Sequence, residues 1–509
     1  MTDRNEHDAL FQNVKAVHML GIGGAGMSGL ARLLSAGGYR VTGADATPSP
    51  TTQALVDSGL PVTVGNDSEL PAACDLVIAS AAVKPEHPGL VAADIRGIPT
   101  ASYARALGSA MAGRTGIAVA GTHGKSTTAA MLSAAMIAAG LDPSVIVGAA
   151  CPHLTDEHGR PTGFRVGSER VPSGRLRDRP GFLIAEACEY NRSFHNLRPT
   201  IAGIANLEAD HLDVYGTLDA VIEAFRVFAA GLPEEGTLLV GHDGAHRREV
   251  TRGVRCRVET IGFAPGADWR LSLGDRRGRP ALLVEHRGRE AGSFVLPMPG
   301  EHGAMNAGVA FALAVLAGAD PNAAATGLGS FRGVCRRFER LGERTLAGGG
   351  SVTVYDDYGH HPTEIDLTIR ALREHERIDS AGRRLVCVFQ PHQHSRTRFF
   401  LEEFAAAFAR ADAVIVPDIY FVRDSEVERQ RVSAGGLVDR LRSRGVKATH
   451  VYPMEAMPEH IEDIARPGDV LLVMGAGPVW TVAHEFMRRG SPAATVHDAP
   501  IPGPAAVGR

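Results

Sequence analysis

Residues 118–128 read AVAGTHGKSTT, and no other run constrains the chain so tightly. An apolar stretch, TGIAVA, has strand character and leads into a glycine-rich turn. The following KSTTAAMLSAAMIAAG reads as a helix closed by Gly140. A strand, a tight turn and a helix in that order aim backbone N–H groups and a helix N-terminus at one point, which suits an anion. Lys125 is one of four lysines among 53 basic residues, so its place inside this turn is informative. It would set a compact positive charge on outer phosphates, and Ser126 would offer a hydroxyl to Mg²⁺. The run departs from the standard spacing, because Val119 stands where the usual template has glycine. A plain strand-to-helix turn with a chance lysine is the structural alternative.

The chain has 509 residues, too many for one core, and about three domains are expected. A formal charge of −4 gives no basic field, so nucleic acid is not an expected partner. Six cysteines lack CxxC spacing, which argues against a disulfide framework or a zinc ribbon. The first ten residues do not resemble a signal peptide, and no apolar run reaches the roughly 18 residues of a spanning helix. A cytoplasmic protein without membrane insertion is the expectation.

The first segment runs from strand VKAVHML through Gly21-Ile-Gly-Gly-Ala-Gly26 to helix-like MSGLARLLSAGG and strand YRVTGAD, with Asp45 near its end. This is the dinucleotide-type GxGxxG unit, with an acid placed to accept from a ribose. The turn reads a pyrophosphate whichever nucleoside carries it. NAD or FAD, another nucleotide diphosphate, and purely structural glycines all stay open.

In the second segment, strands FLIAEA and TIAGIANL end in EACEY and EADH, which places Glu186 and His211 at strand ends. Glu186 offers a hard oxygen to Mg²⁺. By spacing alone His211 reads as a polar loop residue, with Asp210 and Asp213 as helix caps. Residues 155–181 are expected to form a surface hairpin or mobile loop, and 250–298 an antiparallel β appendage. Helices are expected from His302 to Gly318 and on to about Gly329.

From about residue 335, strands SVTVYDDY, RLVCVFQ, DAVIVP and DVLLVMGAG alternate with helices TEIDLTIRALREH and RFFLEEFAAAFARAD. DDYGHHP (356–362) and QPHQHSRTR (390–398) concentrate four histidines without zinc-ligand spacing. With their Tyr and Arg neighbours they suit a carboxylate or phosphate. The boundaries predicted are 1–112, 113–334 and 335–491, with 492–509 a disordered tail.

GTHGKSTT, EACEY, EADH, GEHGAMN, GVCRRFE, DDYGHHPTEI and QPHQHSRTR occur in one order, and with them the chain resembles the Mur ligases of peptidoglycan synthesis. The resemblance spans about residues 14 to 490. It implies an α/β protein of three domains: a Rossmann-like N-terminal domain for a UDP-sugar, a central P-loop ATPase with a β appendage, and a Rossmann-like C-terminal domain for an amino acid. The activity implied is an ATP- and Mg²⁺-dependent amide ligase acting in the cytoplasm. It would join the lactyl carboxylate of UDP-N-acetylmuramate to L-alanine through an acyl phosphate. A ligase that attaches a murein tripeptide to the same sugar nucleotide is the alternative, with a non-enzymatic NAD-binding regulator behind it. A monomer or weak homodimer is implied.

The resemblance also assigns residues. Lys125, Glu186, His211 and Arg337 would be catalytic, with Ser126, Glu186 and His211 the metal ligands. Ala120, Gly121, Thr122, His123, Gly124, Lys125, Ser126 and Thr127 would hold the ATP phosphates, and His302, Asn306 and Asp357 the nucleoside. Gly21, Gly23, Gly24, Ala25, Gly26, Met27, Asp45 and Ser80 would grip the UDP-sugar. Tyr358, His360, His392 and Arg396 would receive the amino acid. The chain departs from the family pattern at Gly303, at Gln393, His394 and Ser395, at EACEY and at Pro478.

Overall fold

The computed structural model describes residues 10–65, 69–422 and 424–489. The tail expected at 492–509 lies outside these residues. Three sheets follow one another along the chain. The first joins β1 (Ala16–Leu20), β2 (Arg40–Asp45), β3 (Val62–Val64), β4 (Leu76–Ala79) and β5 (Thr100–Ser102) in the order β3-β2-β1-β4-β5, all parallel. Its central strand AVHML is buried throughout, as a parallel strand covered on both faces must be.

The second sheet has ten strands: β6 (Thr115–Ala120), β7 (Ser144–Thr155), β8 (Pro161–Arg165), β9 (Phe182–Glu186), β10 (Ile201–Ile204), β11 (Thr237–Gly241), β12 (Arg257–Gly262), β13 (Trp269–Asp275), β14 (Pro280–His286) and β15 (Arg289–Val295). Their order is β15-β14-β13-β12-β11-β10-β6-β9-β7-β8. β6 lies between β10 and β9, both parallel to it, so the turn after β6 opens at the carboxyl edge of a parallel sheet. The β appendage is continuous with this sheet: β12 pairs parallel with β11, and only β13, β14 and β15 run antiparallel to one another. Residues 155–181 divide between the β7–β8 hairpin and a connection to β9.

The third sheet combines β16 (Glu339–Thr345), β17 (Ser351–Asp357), β18 (Leu385–Phe389), β19 (Ala413–Val416), β20 (Ala448–His450) and β21 (Val470–Met474) in the order β16-β17-β21-β18-β19-β20. β16 is the antiparallel edge. It went unseen in the sequence because ERLGERT is too polar to read as a strand.

One apolar cluster packs helices Lys125–Ala138 and Gly300–Leu316 on one face of the central sheet. A second runs without a break from the first sheet to the other central face, through Met19, Leu183, Phe194 and Phe225. The third sheet has separate clusters on its two faces and meets the central core at Phe338. No helix among the described residues is long and apolar enough to cross a membrane.

Candidate active site

Gly121 and Gly124 turn the chain from β6 into helix Lys125–Ala138, Gly124 with φ of 78°. That conformation favours glycine, and a Cβ there would also strike the Asn306 side chain, so Asn306 packs directly on the loop. Asn206 braces the loop from β10: it accepts from His123 N–H at 2.8 Å and donates to His123 O at 3.1 Å. Lys125 curls over its own turn, donating to Gly121 O at 2.7 Å and Thr122 O at 2.9 Å. It also lies 2.9 Å from the buried Glu189 carboxylate. Burial lowers the lysine pKa, but Glu189 outweighs it and the net shift is upward.

Glu189 was not among the expected site residues. EACEY carries two acids, and spacing from the strand favours the first, Glu186. In the fold Glu186 accepts the Gly148 N–H at 2.6 Å, whereas the turn beyond β9 carries Glu189 under the phosphate loop. The Tyr215 hydroxyl donates to the Glu189 carbonyl and fixes it there. His211 Nε2 lies 3.7 Å from both Glu189 and Asp210. Glu189, Asp210 and His211 converge closely enough to share one cation, and Glu186 is not in that group. Two carboxylates, with the Ser126 hydroxyl lining the same cavity, match the hard oxygen donors that Mg²⁺ takes. Burial lowers the His211 pKa, which leaves a neutral ring.

Neither Asp210 nor Asp213 caps the helix that follows: Leu212–Tyr215 has His211 at its N-cap with no side-chain bond, and Asp213 lies within its first turn. Asp210 accepts from His211 N–H at 2.7 Å and takes the Arg396 guanidinium at 2.9 Å. Both partners are buried. Burial raises the Asp210 pKa, but Arg396 and His211 hold it well below the carboxylate range. Arg396, expected in the amino-acid pocket, therefore has its charge committed to the central domain. It still touches His392 Nδ1 at 3.3 Å.

Tyr358, His360 and His392 form a line of ring contacts, with centroids 5.5 and 5.8 Å apart. Arg337 stacks over Tyr358 at 4.7 Å. Tyr420 extends the line beyond His392. Burial, then Arg396, pushes His360 down to about 3, so its imidazole is neutral. Asp357 is buried and accepts from Phe338 N–H at 2.7 Å and Gly359 N–H at 2.6 Å, so it orders the turns around Arg337 and Tyr358.

Helix HSRTRF differs from the expectation: residues His394–Phe399 are helical, and a break at Phe400 separates them from Leu401–Ala407. His302 lies in the first turn of helix Gly300–Leu316, where burial lowers its pKa to about 4. Gly303 is locked in: a Cβ there would sit 2.8 Å from Met298 O.

In the first sheet Asp45 accepts the Gly23 N–H at 2.8 Å and the Thr47 N–H at 3.3 Å. It holds the glycine turn in shape. Ser80 crowds Gly21 from β4, and Gly24 caps helix Ala25–Ala36, where Met27 is buried. A single cavity of about 660 Å³ joins the three sheets, from Gly23 and Ala25 past Lys125, Ser126 and His211 to Arg337, His360, His392 and Arg396. Of the expected site residues, Gly21, Gly24, Gly26, Met27, Asp45 and Ser80 of the first domain, Ala120, Gly121, His123, Thr127, His302 and Asn306 of the second, and Asp357 of the third are not in its wall.

Three family descriptions match the chain in sequence: Mur ligase family, catalytic domain, at residues 16–115; Mur ligase middle domain at 119–314; and Mur ligase, glutamate ligase domain, at 336–477. The UDP-N-acetylmuramate–L-alanine ligase of Kineococcus radiotolerans is 40% identical over 480 residues, 93% of this chain and 95% of the relative. The crystal structure of the UDP-N-acetylmuramate-alanine ligase of Thermotoga maritima superposes with a TM-score of 0.73 at 25% identity, covering 93% of this chain and 98% of that one. A murein peptide ligase from Psychrobacter arcticus gives a TM-score of 0.68 at 25% identity, covering 95% and 100%.

Proposed function

The chain belongs to the Mur ligase family, and from that premise we propose that it is the ligase joining UDP-N-acetylmuramate to L-alanine at the expense of ATP. The observation that carries this reading is the single cavity linking a phosphate-type loop, a pyrophosphate-type glycine turn and a cluster of His, Tyr and Arg. Three substrates meeting in one chamber need such an arrangement. We place the reaction in the cytoplasm.

A carboxylate is a poor electrophile, so the lactyl carboxylate first takes the γ-phosphoryl group of ATP to become an acyl phosphate. The amine of L-alanine then attacks the acyl carbon, and phosphate leaves. The difficulty of the first step is bringing two anions together, and positioned cations supply most of the help. Lys125 is held ready by Glu189 and would turn to the outer phosphates when ATP enters. Helix Lys125–Ala138 presents its N-terminal N–H groups to the same phosphates. Glu189, Asp210 and His211 would hold Mg²⁺, with Ser126 beside them; Glu186 would line the cavity nearby. When bound, Mg²⁺ would screen the charge gathering between phosphate and carboxylate.

Gly21 to Met27 would grip the UDP pyrophosphate, shaped by Asp45 and Ser80 rather than touched by them. Asn306 would act through the loop it packs on, and His302 and Asp357 from outside the cavity wall. In the third domain Arg337 faces the chamber, and His360 and His392 would orient the amine. A ring with a pKa near 3 accepts a hydrogen bond from the amine but is a weak proton store, so His360 positions rather than deprotonates.

The test is phosphate release with UDP-N-acetylmuramate and ATP, comparing L-alanine, L-serine, glycine and the murein tripeptide. L-alanine is expected to give the highest kcat/KM. A clear preference for tripeptide would move the chain to the peptide-ligase branch that the Psychrobacter structure represents.

A further inference from the structure

The loop that would hold ATP has a side chain whose place in the fold the reaction above does not use. His123, expected among the residues that hold the ATP phosphates, lies outside the cavity wall and meets the third domain at Glu364. Its Nδ1 lies 3.3 Å from Glu364 Oε1, its Nε2 lies 3.5 Å from Glu208 Oε2, and its ring meets that of His361 at 4.6 Å. The backbone on either side is pinned to the central sheet by Asn206.

Glu364 is the third residue of helix Pro362–His375 and belongs to its capping box. Its two oxygens face different partners. Oε2 accepts from His360 N–H at 3.0 Å and His361 N–H at 3.3 Å, which shapes the turn carrying His360. Oε1 faces His123, with Arg337 3.9 Å away. One buried carboxylate therefore holds both the amine-pocket turn and the phosphate loop.

We propose that the His123–Glu364 pair is the latch through which the phosphate loop and the amine pocket are assembled together. His123 is a positioning residue in it: it touches no reacting atom and acts through Glu364 on His360 and Arg337. The inference rests on the reading that the Gly121–Ser126 loop takes ATP and the 358–364 turn serves the amine. A loop settled around phosphates would present His123 to Glu364, and that contact would hold the third domain down with its turn in shape.

The same residues do not form a metal site. His123, Glu208 and His361 lie close enough to share an ion. His361, however, accepts from Thr363 N–H on Nδ1 at 3.3 Å and therefore directs its N–H at Ala209 O, 3.2 Å from Nε2. It has no lone pair to give. Glu208 is also engaged, accepting from the Thr363 hydroxyl at 2.6 Å. The cation between the two carboxylates is the imidazolium itself: burial lowers the His123 pKa, but Glu208 and Glu364 outweigh it and raise it to about 9.

A double-mutant cycle on the full chain tests this, with His123→Asn, Glu364→Gln and the pair. The Gln amide oxygen still accepts the His360 and His361 N–H groups, so the cap survives. Each single variant is expected to raise KM for L-alanine about tenfold with little change in KM for UDP-N-acetylmuramate, and the double variant no further than the worse single. Scattering with UDP-N-acetylmuramate and a non-hydrolysable ATP analogue should give a larger radius of gyration for the variants than for the parent. Glu364→Asp withdraws the charge by one methylene and stands in should Glu364→Gln misfold. It too should raise KM for L-alanine. Multiplicative losses in the double variant, or an unmoved KM for L-alanine, would overturn the latch. Absence of alanine-dependent phosphate release in the parent would instead overturn the functional reading.

Discussion

At the scale of single residues, the chemistry turns on where buried charges are sent. Lys125 and Glu189 neutralise each other under the phosphate loop. Lys125→Ala should lower kcat by about 100-fold or more, as the loss of a cation from a phosphoryl-transfer site does, while circular dichroism keeps the parent signature. Near-parental turnover would refute the role. Glu189→Gln should shift the Mg²⁺ titration of activity to higher concentration. Glu186→Gln should shift it less, because Glu186 is spent on the Gly148 N–H. A reversed ranking would return the metal to Glu186. The pH dependence of the proposed latch would belong to His123, faced by Glu208, Glu364 and His361. Its pKa is about 9 in the fold against roughly 6.5 in a free chain, so its stabilisation is complete below the free value and is lost as pH rises through about 9. The ratio of KM for L-alanine in His123→Asn to that in the parent should fall toward one as pH rises through about 9, since the titration of the alanine amine is common to both. What the sequence made legible at this scale was the loop: Gly121, Gly124, Lys125 and Ser126 are local to one turn. Glu189 was missed because two acids three residues apart cannot be told from each other until the turn after β9 has a direction.

Among elements, helices and parallel strands were readable wherever a long apolar period set them, as in β1, β6, β9 and helix Lys125–Ala138. Short or polar elements were not. β16 is strand because it pairs with β17, and residues 394–399 are helical with Asp424 accepting the His394 and Ser395 N–H groups. β17 follows β16 directly, but ERLGERT has no apolar period of its own to announce a strand; Asp424 lies 30 residues from His394, beyond any local signal. Gly303 makes a testable case of close approach. Gly303→Asn, the residue of the family pattern, would press a Cβ against Met298 O and should cost about 1–3 kcal/mol unless helix Gly300–Leu316 shifts. A lowered Tm checks it; an unchanged one would mean that the helix gives way without cost.

For the whole molecule, the first two sheets share an apolar cluster, whereas the third sits on the second largely through polar contacts: Arg396 on Asp210, Thr363 on Glu208, His123 on Glu364. Polar contacts of this kind hold a domain while leaving it free to part from its neighbour, which suits a site assembled by closure. Arg396→Met would strand the buried Asp210 carboxylate at about 3–5 kcal/mol of docking energy, and adding Asp210→Asn should restore much of it. Protease nicking between residues 330 and 339, faster in Arg396→Met and slowed again in the double variant, reports this. Equal nicking in all three would mean that the pair contributes nothing to docking. The sequence by itself determined the three α/β units, the phosphate loop and the family, because strand period, glycine turns and motif order are local properties of the chain. Only the tertiary structure decided that Glu189 rather than Glu186 meets Lys125, that Asp45 shapes its turn, that Arg396 is bound to Asp210, and that His123 faces another domain. Each of those pairings joins residues that only packing brings within a few ångströms, and burial then sets which charges persist.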